Sequence, residues 1–234
     1  MEETDNSSSH PYYPRDLLIP HFKANELSQV QLLITVFGTF AVVFIATWLY
    51  SGTLKRRLPI SISQRLVICW FALCGCIHSV LEGYFGIYHS VIAGDQNILS
   101  QLWKEYGKGD SRYIISDNFT VCMENITAWF EGPGCFLVAY ALLNRKSYRY
   151  VAQMLVSMGQ LYGCTLYFVT EVRDGFIHSK MWHPLYFWFY FVFLNMFWMV
   201  IPFCMIVQAA SHLIGAQAAR DAENTKGKNS KKRK

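Results

Sequence analysis

The chain has 234 residues, 53% of them hydrophobic and 16% aromatic, which is too apolar for one soluble domain of that length. Its net charge of +5 sits mainly in short loops and near the C-terminal end, so it marks topology and attraction to anionic lipid heads and argues against nucleic acid. Seven cysteines, all inside apolar runs and without a CxxC pair, argue against a disulfide or zinc framework and read as small buried apolar residues.

In chain order, residues 1–28 are polar and rich in Pro and Ser, carry Glu2, Glu3 and Asp5, and lack the pattern of a cleavable signal peptide. Apolar runs follow at 30–49, 66–88, 119–143, 150–169 and 184–210, each of about the 20 residues a bilayer-spanning helix needs. The spacing predicts an all-α membrane protein: a lumenal segment over 1–28, a bundle of five transmembrane helices over 29–212 enclosing an intramembrane ligand cavity, and a cytosolic basic tail over 213–234. Basic residues gather in the loop with Lys55, Arg56, Arg57 and Arg65, in the loop with Arg145, Lys146 and Arg149, and in the tail from Lys226 to Lys234. Because cytoplasmic loops collect Lys and Arg, five spans place the N-terminus in the lumen and the C-terminus in the cytosol. Asn6, in an Asn-Ser-Ser sequon, is then a lumenal glycosylation acceptor, and the final Lys231-Lys232-Arg233-Lys234 resembles a dilysine retrieval signal for the endoplasmic reticulum.

An ionisable side chain inside the bilayer is expensive and needs a partner or a purpose. On the second run His78 and Glu82 stand four apart on one helix face, close enough to hold a proton between them or merely to stitch helices together. The third run carries Glu124 and Thr127 on one face, then Glu131 before Gly132-Pro133-Gly134, which predicts a bend. Glu124 lies near the lumenal boundary, so water exposure is an alternative for it, whereas Glu131 is deeper. The fourth run adds Gln153, Gln160, Tyr162 and Thr165, read as helix-to-helix hydrogen bonding. The fifth holds Asn195 and Trp198, three apart on one face, beyond an aromatic run that reads mostly as interfacial packing. Converging on one cavity, these groups would supply a proton donor, a second carboxylate and a Trp face that attracts cations. Metal chemistry needs a cluster of His ligands, and one His lies at depth.

Three stretches carry a resemblance: Gln101-Leu-Trp-Lys-Glu-Tyr-Gly-Lys-Gly-Asp-Ser-Arg-Tyr113, Asp117-Asn-Phe-Thr-Val-Cys-Met-Glu124, and His183-Pro-Leu-Tyr-Phe-Trp-Phe-Tyr-Phe-Val-Phe193. With them the chain closely resembles the emopamil-binding protein family, the 3-beta-hydroxysteroid delta-8 to delta-7 isomerases of sterol (cholesterol) biosynthesis, from about His10 to the end of the last run. The resemblance implies a catalytic set of His78, Glu82, Glu124, Thr127, Asn195 and Trp198. It implies substrate contacts at Trp103, Tyr113 and Trp198, and a lumenal lid or anchor in Asp110, Arg112, Tyr113 and Asp117. It gives no role to Glu131. The implied reaction protonates the sterol at carbon 9, passes through a cation at carbon 8 and loses a proton from carbon 7, with no cofactor and no metal. His78 with Glu82 would donate, Glu124 assisted by Thr127 and Asn195 would remove the proton, and Trp198 would stabilise the cation; acid and base are interchangeable at this stage. Implied partners are sterol, cationic amphiphilic inhibitors and membrane lipid, with a second copy of the chain left open. The implied location is the endoplasmic reticulum membrane and the nuclear envelope continuous with it. The rival reading is a membrane protein of the same fold that binds sterols or drugs without turnover.

Overall fold

The computed structural model describes residues 10–54 and 60–231, and over these it consists of helices and loops without a strand. Twenty-six residues with neither a charge nor a proline, Gln29–Leu54, form α1. Ser61 opens α2: its hydroxyl accepts from the Gln64 N–H at 3.2 Å while the Gln64 side chain accepts the Ser61 N–H at 3.1 Å, a reciprocal cap that fixes the first turn. From there α2 runs over Ile62–Tyr88, widening into a π-helix over Ile77–Glu82. The stretch after it, read from sequence as a polar loop, contains a further helix, α3 (Ile98–Tyr106), capped by Asn97, and a 3-10 turn at Ser111–Tyr113.

Asp117 caps α4, which spans Asn118–Leu143 and is π-helical over Thr127–Glu131. Pro133 has no N–H for the carbonyl of Trp129, and the wide turn sits where that bond is missing, so the expected bend is absorbed as a π-turn just before the Gly-Pro-Gly. α5 covers Arg149–Arg173 and stops at Gly175, whose φ of 74° is the left-handed value that ends helices. α6 begins at His183 and Pro184, is π-helical over Pro184–Phe193 and continues as α-helix over Leu194–Lys231. The stretch expected as a separate tail from residue 213 is thus helical through Lys231 and continuous with the last apolar run. Asn6, the Lys55–Arg57 cluster and Lys232–Lys234 lie outside the described residues.

Four helices among the described residues are long and apolar enough to cross a membrane: Gln29–Thr53, Ile62–Tyr88, Asn118–Leu143 and Pro184–Lys226. The fourth expected run, 150–169, also forms a helix, the 25-residue α5, but Gln153, Ser157, Gln160 and Glu171 hold its composition below that of the others. Those polar groups face protein. Gln153 is fully buried and donates to the Met205 carbonyl and to Gln208 Oε1, each at 2.9 Å, binding α5 to α6 as the sequence predicts. Thr165 donates to the Leu161 carbonyl of its own helix at 2.7 Å and also reaches Met199 Sδ of α6 at 3.6 Å, whereas Tyr162 faces outward. The outer surface is apolar, with Ile34, Val42, Phe130 and Leu155 all exposed, a coat suited to lipid. Of the cysteines, all free, only Cys69, Cys74 and Cys135 are buried; Cys122 and Cys204 are exposed on that outer surface, since the sequence marks a helix as apolar without saying which face is inward.

At one end the chain closes over the bundle. Tyr12 from the N-terminal segment is buried and donates to the Lys104 carbonyl, and Lys104 Nζ, itself buried, reaches the carbonyl of Lys23 at 2.9 Å. Burial holds the Lys104 ammonium below its ordinary pKa. Arg112 is the chief anchor: it pairs with Asp110 at 2.6 Å and donates to Thr170 Oγ1 at 2.8 Å and the Tyr167 carbonyl at 3.2 Å, tying the turn at 111–113 to the end of α5.

Candidate active site

The two π-turns meet. Gly132 lets them approach, since a Cβ there would collide with Ser79 of α2, and the wide turns aim His78, Glu82, Thr127 and Glu131 into one cleft. The cleft has a volume of about 220 Å³ and is not closed on every side by the described residues, where the sequence reading expects an enclosed cavity. Its walls come from α1, α2, α3, α4, α5 and α6 and are mainly apolar and aromatic.

All six expected catalytic residues, with Trp103 and Tyr113, line this cleft. His78 Nδ1 lies 2.8 and 2.7 Å from the two oxygens of Glu82. The amide nitrogen of Gln160 donates to His78 Nε2 at 3.1 Å, which places the proton of the neutral ring on Nδ1, facing Glu82. Thr127 sits between the acids: its hydroxyl makes a short contact with Glu82 Oε2 and lies 2.9 Å from the backbone carbonyl of Glu124. The hydroxyl has one hydrogen for two oxygens. Given to Glu82, it supports the carboxylate; given to the carbonyl, it leaves a lone pair facing Glu82.

Glu124 is 5% exposed, which sets aside the water-exposed alternative. Its side-chain partner is Tyr113, whose hydroxyl donates to Oε1 at 2.6 Å. Thr127 and Asn195, expected to assist Glu124, are otherwise engaged: Thr127 reaches Glu82, and Asn195 donates to the Tyr106 hydroxyl and the Phe191 carbonyl, each at 2.8 Å. Trp103 stacks on Tyr113 at 4.8 Å and donates its indole N–H to the Leu81 carbonyl at 3.0 Å. Burial raises the phenol pKa of Tyr113 and Tyr106, keeping both hydroxyls protonated donors. Trp198 packs on Trp70 at 5.6 Å and meets the His78 ring edge-on at 6.2 Å.

Sequence reasoning missed two members. Gln160, read as helix-to-helix bonding, does join α5 to α2, and the partner not foreseen is the histidine of the cleft; its position on the face of α5 shared with Gln153 was the available signal. Tyr106 follows Trp103 by one helical turn, a spacing hidden inside what reads as a polar stretch. The expected loop anchors are present: Asp110 and Arg112 fasten the loop, Tyr113 reaches the cleft and Asp117 caps α4.

Helices of bilayer length around a cleft lined by four carboxylates, Glu82, Glu105, Glu124 and Glu131, and an imidazole define a helical membrane protein with an acid–base pocket. Residues 98–209 match the family described as EXPERA (EXPanded EBP superfamily). The chain is 49% identical over 212 residues to the 3-beta-hydroxysteroid-Delta(8),Delta(7)-isomerase of Rattus norvegicus, covering 91% of this chain and 92% of that one. It is 46% identical over 228 residues to the protein of the same name from Cavia porcellus, covering 97% and 99%. The isomeliandiol synthase of Melia azedarach is 33% identical over 79% of this chain and 84% of its own. The chain therefore belongs to the emopamil-binding protein family of 3-beta-hydroxysteroid-Delta(8),Delta(7)-isomerases.

Proposed function

We propose that the protein is a sterol isomerase that moves a ring double bond from delta-8 to delta-7 in sterol biosynthesis. The carrying observation is that two carboxylates line one apolar cleft, Glu82 bonded to His78 and Thr127 and Glu124 bonded to Tyr113. Glu82, oriented by His78, delivers its proton to carbon 9. The cation at carbon 8 lies against the Trp198 ring, and Glu124 takes the proton from carbon 7. The added and removed protons balance, so the double bond shifts without a redox partner. Tyr113 holds the Glu124 carboxylate in place, and Asn195 acts through Tyr106 on the cleft wall. Trp103 and Tyr113 form an aromatic surface for the sterol body.

In this reading α5 is the fourth of five spans, turning its polar face to protein and Leu155 and Tyr162 to lipid, and membrane lipid closes the open side of the cleft. The end bearing α3 faces the lumen of the endoplasmic reticulum and the C-terminus faces the cytosol. A pocket that holds carboxylates beside a Trp face also suits a protonated amine on a bulky apolar body, so cationic amphiphiles are expected competitors. A protein that only bound sterols would need no proton-bearing pair. The test is conversion of a delta-8 sterol by membranes from a host that lacks its own isomerase and expresses this chain. Appearance of the delta-7 product supports the reading, and sterol that is bound and recovered unchanged refutes it.

A further inference from the structure

Of the four buried polar atoms in residues of the cleft wall that have no hydrogen-bond partner among the described residues, Tyr167 Oη stands apart and three lie in residues around His78: Glu131 Oε2, Gln160 Oε1 and Trp198 Nε1. The reaction above uses none of the three. Buried polar groups are costly to leave unpaired, and three bordering one cleft call for a common ligand. They gather around His78. The other end of the Gln160 amide bonds its Nε2, Trp198 meets its ring edge-on, and Glu131 interacts electrostatically with it. Glu131 Oε1 lies against Gly159, the neighbour of Gln160, in space that any larger residue would fill.

The chemistry of the three selects the ligand. A carboxylate oxygen repels an anion, and the indole N–H cannot accept from a cation. A neutral hydroxyl satisfies both kinds of group, donating to Glu131 or Gln160 and accepting from Trp198. We propose that Glu131, Gln160 and Trp198 form the subsite that receives the C3 hydroxyl of the steroid, with Glu131 as the residue that discriminates for it. This rests on the sterol reading of the same cleft. Glu131 stands seven residues beyond Glu124 on α4, about 10 Å along the helix. Ring A, which bears the C3 oxygen, is fused to ring B, which bears carbon 7, so a steroid with carbon 7 at Glu124 directs ring A toward Glu131. The flexible tail of the sterol then leaves by the end lined by Tyr106 and Tyr190.

The full chain in lipid nanodiscs, titrated with a 3β-hydroxy delta-8 sterol, its 3α epimer and its 3-deoxy counterpart, tests the subsite. Wild type binds the 3β-hydroxy sterol about tenfold or more tightly than the other two, the scale expected when a buried polar group is left without its partner. Glu131→Leu abolishes that preference by weakening the 3β-hydroxy sterol alone, and Glu131→Gln, which keeps an acceptor oxygen, retains most of it. No preference in wild type, a preference that survives Glu131→Leu, or equal weakening of all three sterols overturns the proposal. Conversion of the 3β-hydroxy sterol by the same wild-type sample is read separately. Binding with C3 preference but without conversion would refute the isomerase reading and leave the subsite supported.

Discussion

Glu124 carries the sharpest consequence at the level of single residues. Its carboxylate is buried, receives the Tyr113 hydroxyl at 2.6 Å and faces the cleft. Glu124→Gln is nearly isosteric and keeps an acceptor for Tyr113, so the protein should fold and bind sterol while losing at least about 100-fold in kcat, the scale of general acid–base catalysis. Glu82→Gln should do the same, whereas Glu131→Gln should lose far less. Steady-state turnover with matched sterol-binding measurements decides it; near-normal kcat in Glu124→Gln would remove that residue from the mechanism. The pairing of His78 with Glu82 was legible because a spacing of four puts both on one face of a helix. The partner of Thr127 was not, because a spacing of three points to Glu124 and only the meeting of two helices brings Glu82 to its hydroxyl. Gln160 was hidden for the same reason: an amide within an apolar run announces a partner without naming it.

The elements show where regular spacing stops being informative. Apolar runs marked the positions of α1, α2, α4, α5 and α6, but nothing in their periodicity foretold the three π-helical segments. Those at Ile77–Glu82 and Thr127–Glu131 carry His78, Glu82, Thr127 and Glu131 of the cleft, and proline at position 133 was the only local sign of one of them. The loop between α5 and α6 supports a prediction about pH. His178 Nδ1 lies 2.7 Å from Glu171 Oε2, and its backbone N–H donates to Oε1 at 3.0 Å; Asp174, Arg112 and Asp110 are other charges near it. Burial opposes the imidazolium, yet the hydrogen bond and charge of Glu171 outweigh it and the His178 pKa is raised. A raised folded-state pKa contributes stability that is fully present below the unfolded value, near 6.5, and is lost as pH rises through the folded value. Thermal stability of the purified protein should therefore decline across that window as pH increases, and His178→Gln should flatten this component. An unchanged pH dependence in the variant would assign the decline to other groups.

At the scale of the whole molecule, charge distribution argued topology and composition argued a membrane protein, and the four long apolar helices bear out the second point. The status of α5 was least legible, because its buried glutamines make a protein-facing helix look too polar to span. Five spans put the termini on opposite sides. Protease added to sealed microsomes should remove the C-terminal end and spare the N-terminal segment, and modification of Asn6 would mark the lumen directly; protection of both termini or neither would require an even number of spans. The central claim is that side chains in the cleft add a proton at carbon 9 and remove another from carbon 7. Turnover in deuterated water, with the product analysed by NMR, tests it most directly. The account predicts one solvent deuterium at carbon 9 of the delta-7 sterol, with no labelled product from Glu124→Gln, whereas product free of deuterium at carbon 9 would show an internal hydrogen shift and contradict the mechanism.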